Sequence, residues 1–248
     1  MCRQLKGGGR EVKMIKQIRM SVKRIILGKK ASSEKYIEYL REIGCLIGER
    51  TIIFSPTKTT IDITRPWLIE IGDDVQITEG VTILTHGYDW SVLKGVYGEV
   101  LGSSGGVKIG NNVFIGMKST ILKGVHIGNN VIIGANSLVN KDIPDNCVVA
   151  GNPARVVMTL DQYYEKRKKA QLKEATELVQ IYRERYGKEP DDKALHEFFW
   201  LFSNGSDELP KCWEHMQNLV GNRKQTDEAF AKNEKMFENM EAFLNHVK

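Results

Sequence analysis

The chain has 248 residues, 41% of them hydrophobic, which is enough to bury a sizeable core, and no apolar run approaches the roughly 20 residues that a membrane-spanning helix requires. Its four cysteines, Cys2, Cys45, Cys147 and Cys212, are scattered without paired or metal-like spacing; with no signal-peptide apolar core behind Met1, the expected location is a reducing cytoplasm. The formal charge of +5 is uneven, since residues 1–30 hold ten Lys or Arg against Glu11 alone while the rest of the chain is slightly acidic.

In that basic segment Ile15, Ile18, Val22, Ile25 and Ile26 recur at helical spacing among lysines and arginines, which predicts an amphipathic helix within residues 1–42. Two roles stand open for it. It can lie on an anionic membrane surface, giving a peripheral contact through residues 1–30, or pack its apolar stripe on the protein and leave its lysines in solvent; the second is preferred. No basic-aromatic platform accompanies the charge, so nucleic acid is not an expected partner.

Residues 43–158 carry a six-residue period. From Ile109 an aliphatic residue returns as Ile115, Ile121, Ile127, Ile133 and Val139, with Gly following at 110, 116, 128 and 134. Companion inward positions fall at Val113, Ser119, Val125, Val131, Ser137 and Ile143. A helix of 3.6 residues per turn would scatter such a stripe around its circumference, whereas short strands joined by tight Gly and Asn-Asn corners stack it on one face, so the chain is expected to wind as a parallel β-helix. The same phase runs back through Ile83, Ile77, Ile71, Ile53 and Ile47, with Thr59 and Arg65 out of pattern and companions at Ile63, Ile69, Val75 and Val81. Between Ile83 and Ile109 the phase is reset, which predicts an excursion loop over 85–106 holding His86, Tyr88, Asp89, Trp90, Tyr97 and Glu99. A long loop breaking a strict repeat marks the first candidate site, or else a cover over one edge of the prism.

After the run KDIPDNCVVAGNPAR, residues 159–248 are expected to be helical: one segment over 161–186, a second after Pro190 with Leu195, Phe198, Phe199, Trp200 and Phe202, and a third over 226–247. The aromatic cluster at 198–202 is expected to form a small core.

The run IGNNVFIGMKSTILKGVHIGNNVIIGANSLVNKDIPDNCVVAGNPARVV, with ILTHGYDW upstream, resembles the hexapeptide-repeat acyltransferases, in the branch of galactoside, maltose and polysaccharide O-acetyltransferases, over about Ile43 to Val157. The resemblance implies a left-handed triangular prism and a homotrimer with active sites between subunits. It implies acetyl-CoA as co-substrate, with Met117 and Ala135 along the pantetheine arm, Phe114 at the thiol end, and Asn140, Lys141 and Arg155 at the adenosine and phosphates. An asparagine that binds the acceptor in galactoside acetyltransferase has no match here, the nearest position being Thr60.

Moving an acetyl group from a thioester to a hydroxyl needs a base, and histidine suits that work near neutral pH. His196, His215 and His246 lie in the tail and His126 on a repeat, whereas His86 stands where the repeat gives way to the loop and matches the family's catalytic histidine. Glu99 is the preferred acceptor to orient it, with Asp89 as rival. Tyr88, Trp90 and Tyr97 offer faces for a saccharide acceptor or for a neighbouring subunit. No cysteine or marked serine points to a covalent intermediate. A zinc enzyme on the same prism would need three converging histidines, so no metal is expected. The alternatives are an antibiotic or amino-acid acceptor, or a non-catalytic trimeric scaffold.

Overall fold

The computed structural model describes residues 27–205 and 208–248, so most of the expected basic helix lies outside the described residues. The chain divides into two units after Leu160. No described helix is long and apolar enough to cross a membrane.

The first unit is a parallel β-helix. One sheet stacks β1 (Leu46–Ile47), β4 (Ile69–Ile71), β9 (Val107–Ile109) and β12 (His126–Ile127). A second stacks β2 (Ile52–Ile53), β5 (Gln76–Ile77), β10 (Val113–Ile115), β13 (Val131–Ile133) and β15 (Cys147–Ala150), closed by antiparallel β16 (Arg155–Thr159). The third stacks β3 (Thr60–Ile61), β6 (Thr82–Ile83), β11 (Thr120–Ile121) and β14 (Leu138–Val139). Ile109 pairs with Ile127, Ile115 with Ile133 and Ile121 with Val139, so three hexapeptides close one coil and each side returns to its own sheet. The every-sixth aliphatics are buried in one core, where each isoleucine contributes roughly 1.5–3 kcal/mol.

The early coils depart from that spacing. Ile47 pairs with Ile71 and Ile53 with Ile77, 24 residues apart, yet only one side, Ile61, lies between Ile53 and Ile71. Two insertions account for this: two extra residues before Ile61, and four after it, where a 3-10 turn forms at Pro66–Leu68. Together they make one hexapeptide, so the phase returns unchanged and the break shows only as Thr59 and Arg65 out of pattern. Ile63 is consequently not an inward companion, as expected from the repeat, but 47% exposed.

The IGNN corners work as a ladder. Asn111 Oδ1 accepts from Asp73 N at 2.8 Å, Asn129 Oδ1 from Asn111 N at 2.9 Å, and Asp145 Oδ1 from Asn129 N at 2.7 Å, each side chain satisfying the backbone of the coil beside it. The next residue, Asn112, Asn130 or Asn146, takes the left-handed conformation that asparagine tolerates. The preceding glycine leaves room for the ladder: a Cβ on Gly128 would lie 2.1 Å from Asp145 Oδ1 and 2.7 Å from Asp145 N. Gly128→Ala is therefore expected to cost about 1–3 kcal/mol of stability, read as a lower denaturant midpoint. Gly95→Ala, with open space around it and an ordinary φ, serves as the control that should lose nothing; equal midpoints for the two variants would contradict the ladder.

Ahead of the first coil, α1 (Ser33–Glu42) buries Tyr36, Ile37 and Leu40 in the prism core. The described end of the 1–42 segment is thus part of the prism. Lys30 Nζ donates to Thr59 O at 3.0 Å and Lys29 Nζ sits 3.6 Å from the Tyr39 ring centroid, so these two lysines are held by the protein.

The excursion is more regular than a loop. β7 (His86–Gly87) and β8 (Ser103–Ser104) pair antiparallel, Gly105 N donates to Thr85 O at 2.9 Å, and between them α2 (Trp90–Tyr97) ends at Gly98 in the left-handed region. No residue of α2 is buried.

The second unit is helical, but not as expected. α3 (Leu160–Tyr186) matches the first segment. Residues 191–203 form turns and a 3-10 stretch at Phe199–Leu201, where Asp191 Oδ1 accepts from Lys193 N and Ala194 N and so closes a turn. α4 (Lys211–Gln217) follows, and the third segment splits into α5 (Arg223–Ala231) and α6 (Met240–His246), the latter capped by Asn239 Oδ1 on Ala242 N. Phe199 stacks on Trp213 at 5.3 Å and Phe202 on Phe243 at 5.5 Å, so the aromatic cluster is a core.

Candidate active site

His86 owes its place to stacking. Asp62 N donates to Ile83 O at 3.0 Å, which puts the end of β3 one coil beneath the end of β6. There the four-residue insertion turns Asp62 inward, and the carboxylate, in a residue only 7% exposed, meets the residues that leave β6. Oδ1 accepts from Thr64 N at 3.0 Å and Thr64 Oγ1 at 2.7 Å. Oδ2 accepts from Thr85 N at 3.1 Å and Thr85 Oγ1 at 2.5 Å, and lies 2.5 Å from His86 Nδ1.

Burial pushes the Asp62 carboxyl up, but the Thr85 and Thr64 donors outweigh it and hold the group well below the usual carboxylate range. The ionised oxygen fixes the tautomer: Nδ1 carries the proton and donates to Oδ2, leaving the Nε2 lone pair to accept one. The His86 side chain keeps 17% of its surface accessible. A buried carboxylate that holds one nitrogen of an imidazole and leaves the other to accept is an arrangement suited to general-base work.

The orienting group is thus Asp62, a residue the sequence did not single out, rather than Glu99 or Asp89. Eight residues of α2 advance about 12 Å and carry Tyr97 and Glu99 away from the ring; both are exposed. Asp89 is exposed as well, without a hydrogen bond to the imidazole. The aromatics divide. Tyr88 packs edge-on to His86 at 5.4 Å and Trp90 lies 5.6 Å from Tyr88, forming a wall beside the base. Tyr97 shares an outward apolar face of α2 with Val92 and Val96.

The residues expected at the donor are exposed on the prism. Met117 and Ala135 occupy the same corner of successive coils, where Met117 O accepts from Asn136 N at 2.8 Å. Phe114 projects from β10 on the adjoining sheet, and Asn140 and Lys141 follow β14. Arg155 opens β16 and donates to Ala154 O at 2.8 Å. His86 lies at the corner that β6 runs into, whereas Met117 and Ala135 lie at the corner from which the strands of that sheet start, roughly 15–20 Å across one face. A single chain does not bring His86 and the residues expected at the donor together. Among the described residues no cluster of three or more His, Cys, Asp or Glu is placed to hold a metal ion.

The family model described as bacterial transferase hexapeptide (six repeats) matches residues 106–141. Protein CapG of Staphylococcus aureus is 42% identical over 127 residues, covering 51% of this chain and 73% of CapG. The chain belongs to the hexapeptide-repeat acyltransferases. Within them its relatives fall in the galactoside, maltose and polysaccharide O-acetyltransferase branch. Putative acetyltransferase YvoF of Bacillus subtilis is 38% identical, covering 44% of this chain and 58% of YvoF. Galactoside O-acetyltransferase of Escherichia coli is 39% identical, covering 42% of this chain and 52% of that protein, so the chain spans little more than half of these two relatives. Among solved structures, a maltose O-acetyltransferase from Clostridium difficile is 31% identical, with 51% of this chain and 75% of that one covered at a TM-score of 0.36. A galactoside acetyltransferase in complex with coenzyme A is 25% identical, with 65% and 88% covered at a TM-score of 0.41.

Proposed function

We propose that the protein is an acetyl-CoA-dependent O-acetyltransferase acting on a saccharide or surface-polysaccharide precursor, by direct transfer in a ternary complex with His86 as general base. The observation that carries this reading is the Asp62–His86 pair at 2.5 Å, set where the repeat opens into an aromatic-walled excursion. Family membership and the names of the relatives support acetyl transfer.

In the reaction, the acceptor hydroxyl attacks the thioester carbonyl as His86 Nε2 takes its proton. The tetrahedral intermediate collapses, the C–S bond breaks, and the departing thiolate takes that proton back from the imidazolium, leaving an acetyl ester, CoA thiol and a neutral base. Asp62 keeps its charge throughout and favours the transient imidazolium. Met117 and Ala135 would flank the pantetheine arm and Phe114 the thiol end, with Lys141 and Arg155 suited by charge to the phosphates.

The wide separation of base and donor residues on one prism supports a homotrimer in which a left-handed prism presents His86 to the donor groove of its neighbour, and the exposed apolar face of α2 would cover that junction. The test follows CoA thiol release and acetyl-ester formation together, across an acceptor panel of saccharides, amino acids and antibiotics. One-to-one stoichiometry with a saccharide is the expected result; thiol release indifferent to every acceptor would defeat the proposal.

A further inference from the structure

The insertion that delivers Asp62 also carries Arg65. Its side chain is half-buried and has no hydrogen bond or ion pair among the described residues. Among the other described arginines, Arg41, Arg50, Arg167, Arg183 and Arg223 are each matched to a carboxylate, while Arg155 and Arg185, which are not, are exposed. A guanidinium without a partner in its own chain is free to take one from a ligand, and its rigid fork of donors fits a carboxylate or phosphate in two parallel hydrogen bonds. Asp62, three residues away, makes no hydrogen bond or ion pair with it; its oxygens accept from Thr64, Thr85 and His86 instead.

Arg65 directly follows a residue that borders the imidazole. Thr64 Oγ1 is 3.4 Å from His86 Nδ1, and Arg65 is the next residue along, with a side chain that extends about as far as two residues of chain, roughly 7 Å. Two residues further, Trp67 is 70% exposed, and Tyr88 beside His86 is 69% exposed, which supplies apolar faces of the kind a pyranose ring stacks on.

We propose that Arg65 binds an anionic group on the acceptor, so that the substrate is an acidic saccharide bearing a carboxylate or phosphate near the hydroxyl that His86 deprotonates. This inference rests on the acetyltransferase reading and narrows its acceptor class. Arg65 is a specificity-determining residue in it, not a participant in the proton transfer.

The experiment compares glucose, glucuronamide, glucuronate and glucose 6-phosphate as acceptors at saturating acetyl-CoA, for the wild type, Arg65→Gln and Arg65→Lys. The wild type is expected to favour an anionic acceptor over its neutral counterpart by at least about tenfold in kcat/KM. That ratio should fall towards one in Arg65→Gln and be partly kept in Arg65→Lys, and the glucuronate and phosphate arms tell which anion is bound. A wild type preferring the neutral sugars, or a ratio untouched by Arg65→Gln, would overturn the proposal while leaving acetyl transfer standing. So would an Arg65→Gln protein changed only in assembled mass, since Arg65 would then be pairing with a neighbouring copy. Transfer to none of the four sugars would remove the saccharide reading itself.

Discussion

His86→Ala is expected to lower the rate of acetyl transfer about 100-fold or more, close to 2.7 kcal/mol of transition-state stabilisation, while leaving the affinity for acetyl-CoA in place. The hydroxyl of a sugar is a poor nucleophile until its proton leaves, and His86 offers a partly accessible imidazole whose Nδ1 is already committed to Asp62 at 2.5 Å. Removing the ring removes the proton acceptor but touches none of the prism residues expected along the donor, so kcat should fall and donor binding, measured by titration with CoA, should not. A variant that turns over at the wild-type rate would refute the assignment. A variant that fails to bind CoA would show that His86 supports the fold or the assembly instead.

Asp62→Asn should be nearly as damaging, by roughly 10²–10⁴ in kcat. The amide keeps the shape of the carboxylate but not its charge, and its nitrogen is a donor where four donors and the imidazole Nδ1–H now converge. Turning that nitrogen towards Nδ1 would move the ring proton to Nε2, the wrong tautomer for a base. Nitrogen-15 shifts of the ring read this directly: Nδ1–H is expected in the wild type and a shift towards Nε2–H in the variant. An unchanged tautomer with wild-type kcat would show that Asp62 only closes the turn. The same carboxylate also links stability to pH. Its folded-state pKa is depressed, so its contribution is complete above the ordinary carboxylate value of roughly 4 and is lost as the pH falls below it. Asp62→Asn should therefore flatten part of the loss of stability in acid.

Why the sequence pointed to His86 and missed Asp62 has a physical answer. His86 stands at a visible break, since the 26 residues between Ile83 and Ile109 are not a multiple of six. Asp62 stands at an invisible one. Insertions of two and four residues on either side of Ile61 sum to a full hexapeptide, so the repeat beyond them is in phase and the only trace is Thr59 and Arg65 failing the pattern. Glu99 and Asp89 attracted attention because they share the excursion with His86, but α2 takes Glu99 outwards, while stacking brings Asp62, 24 residues earlier, into contact. In a β-helix the neighbours that matter lie one coil away, not one loop away. The tail shows the same limit: local helix-forming residues were legible in α3, whereas the aromatics of 198–202 adopt turns because packing against Trp213, Phe230 and Phe243 decides their conformation.

By itself the sequence determined the period, and with it the stacked strands, the inward aliphatics, the Gly and Asn corners and the excursion that holds the histidine, because each of these depends on residues within one hexapeptide of each other. Only the tertiary structure decided which carboxylate meets the imidazole, that the Arg65 side chain has no partner among the described residues, and that His86 and the residues expected at the donor sit at different corners of one prism. Those are distances between successive coils and across a face, set by coil lengths of 18, 22 and 24 residues, and the insertions of two and four residues behind the longer coils cancel in the six-residue phase.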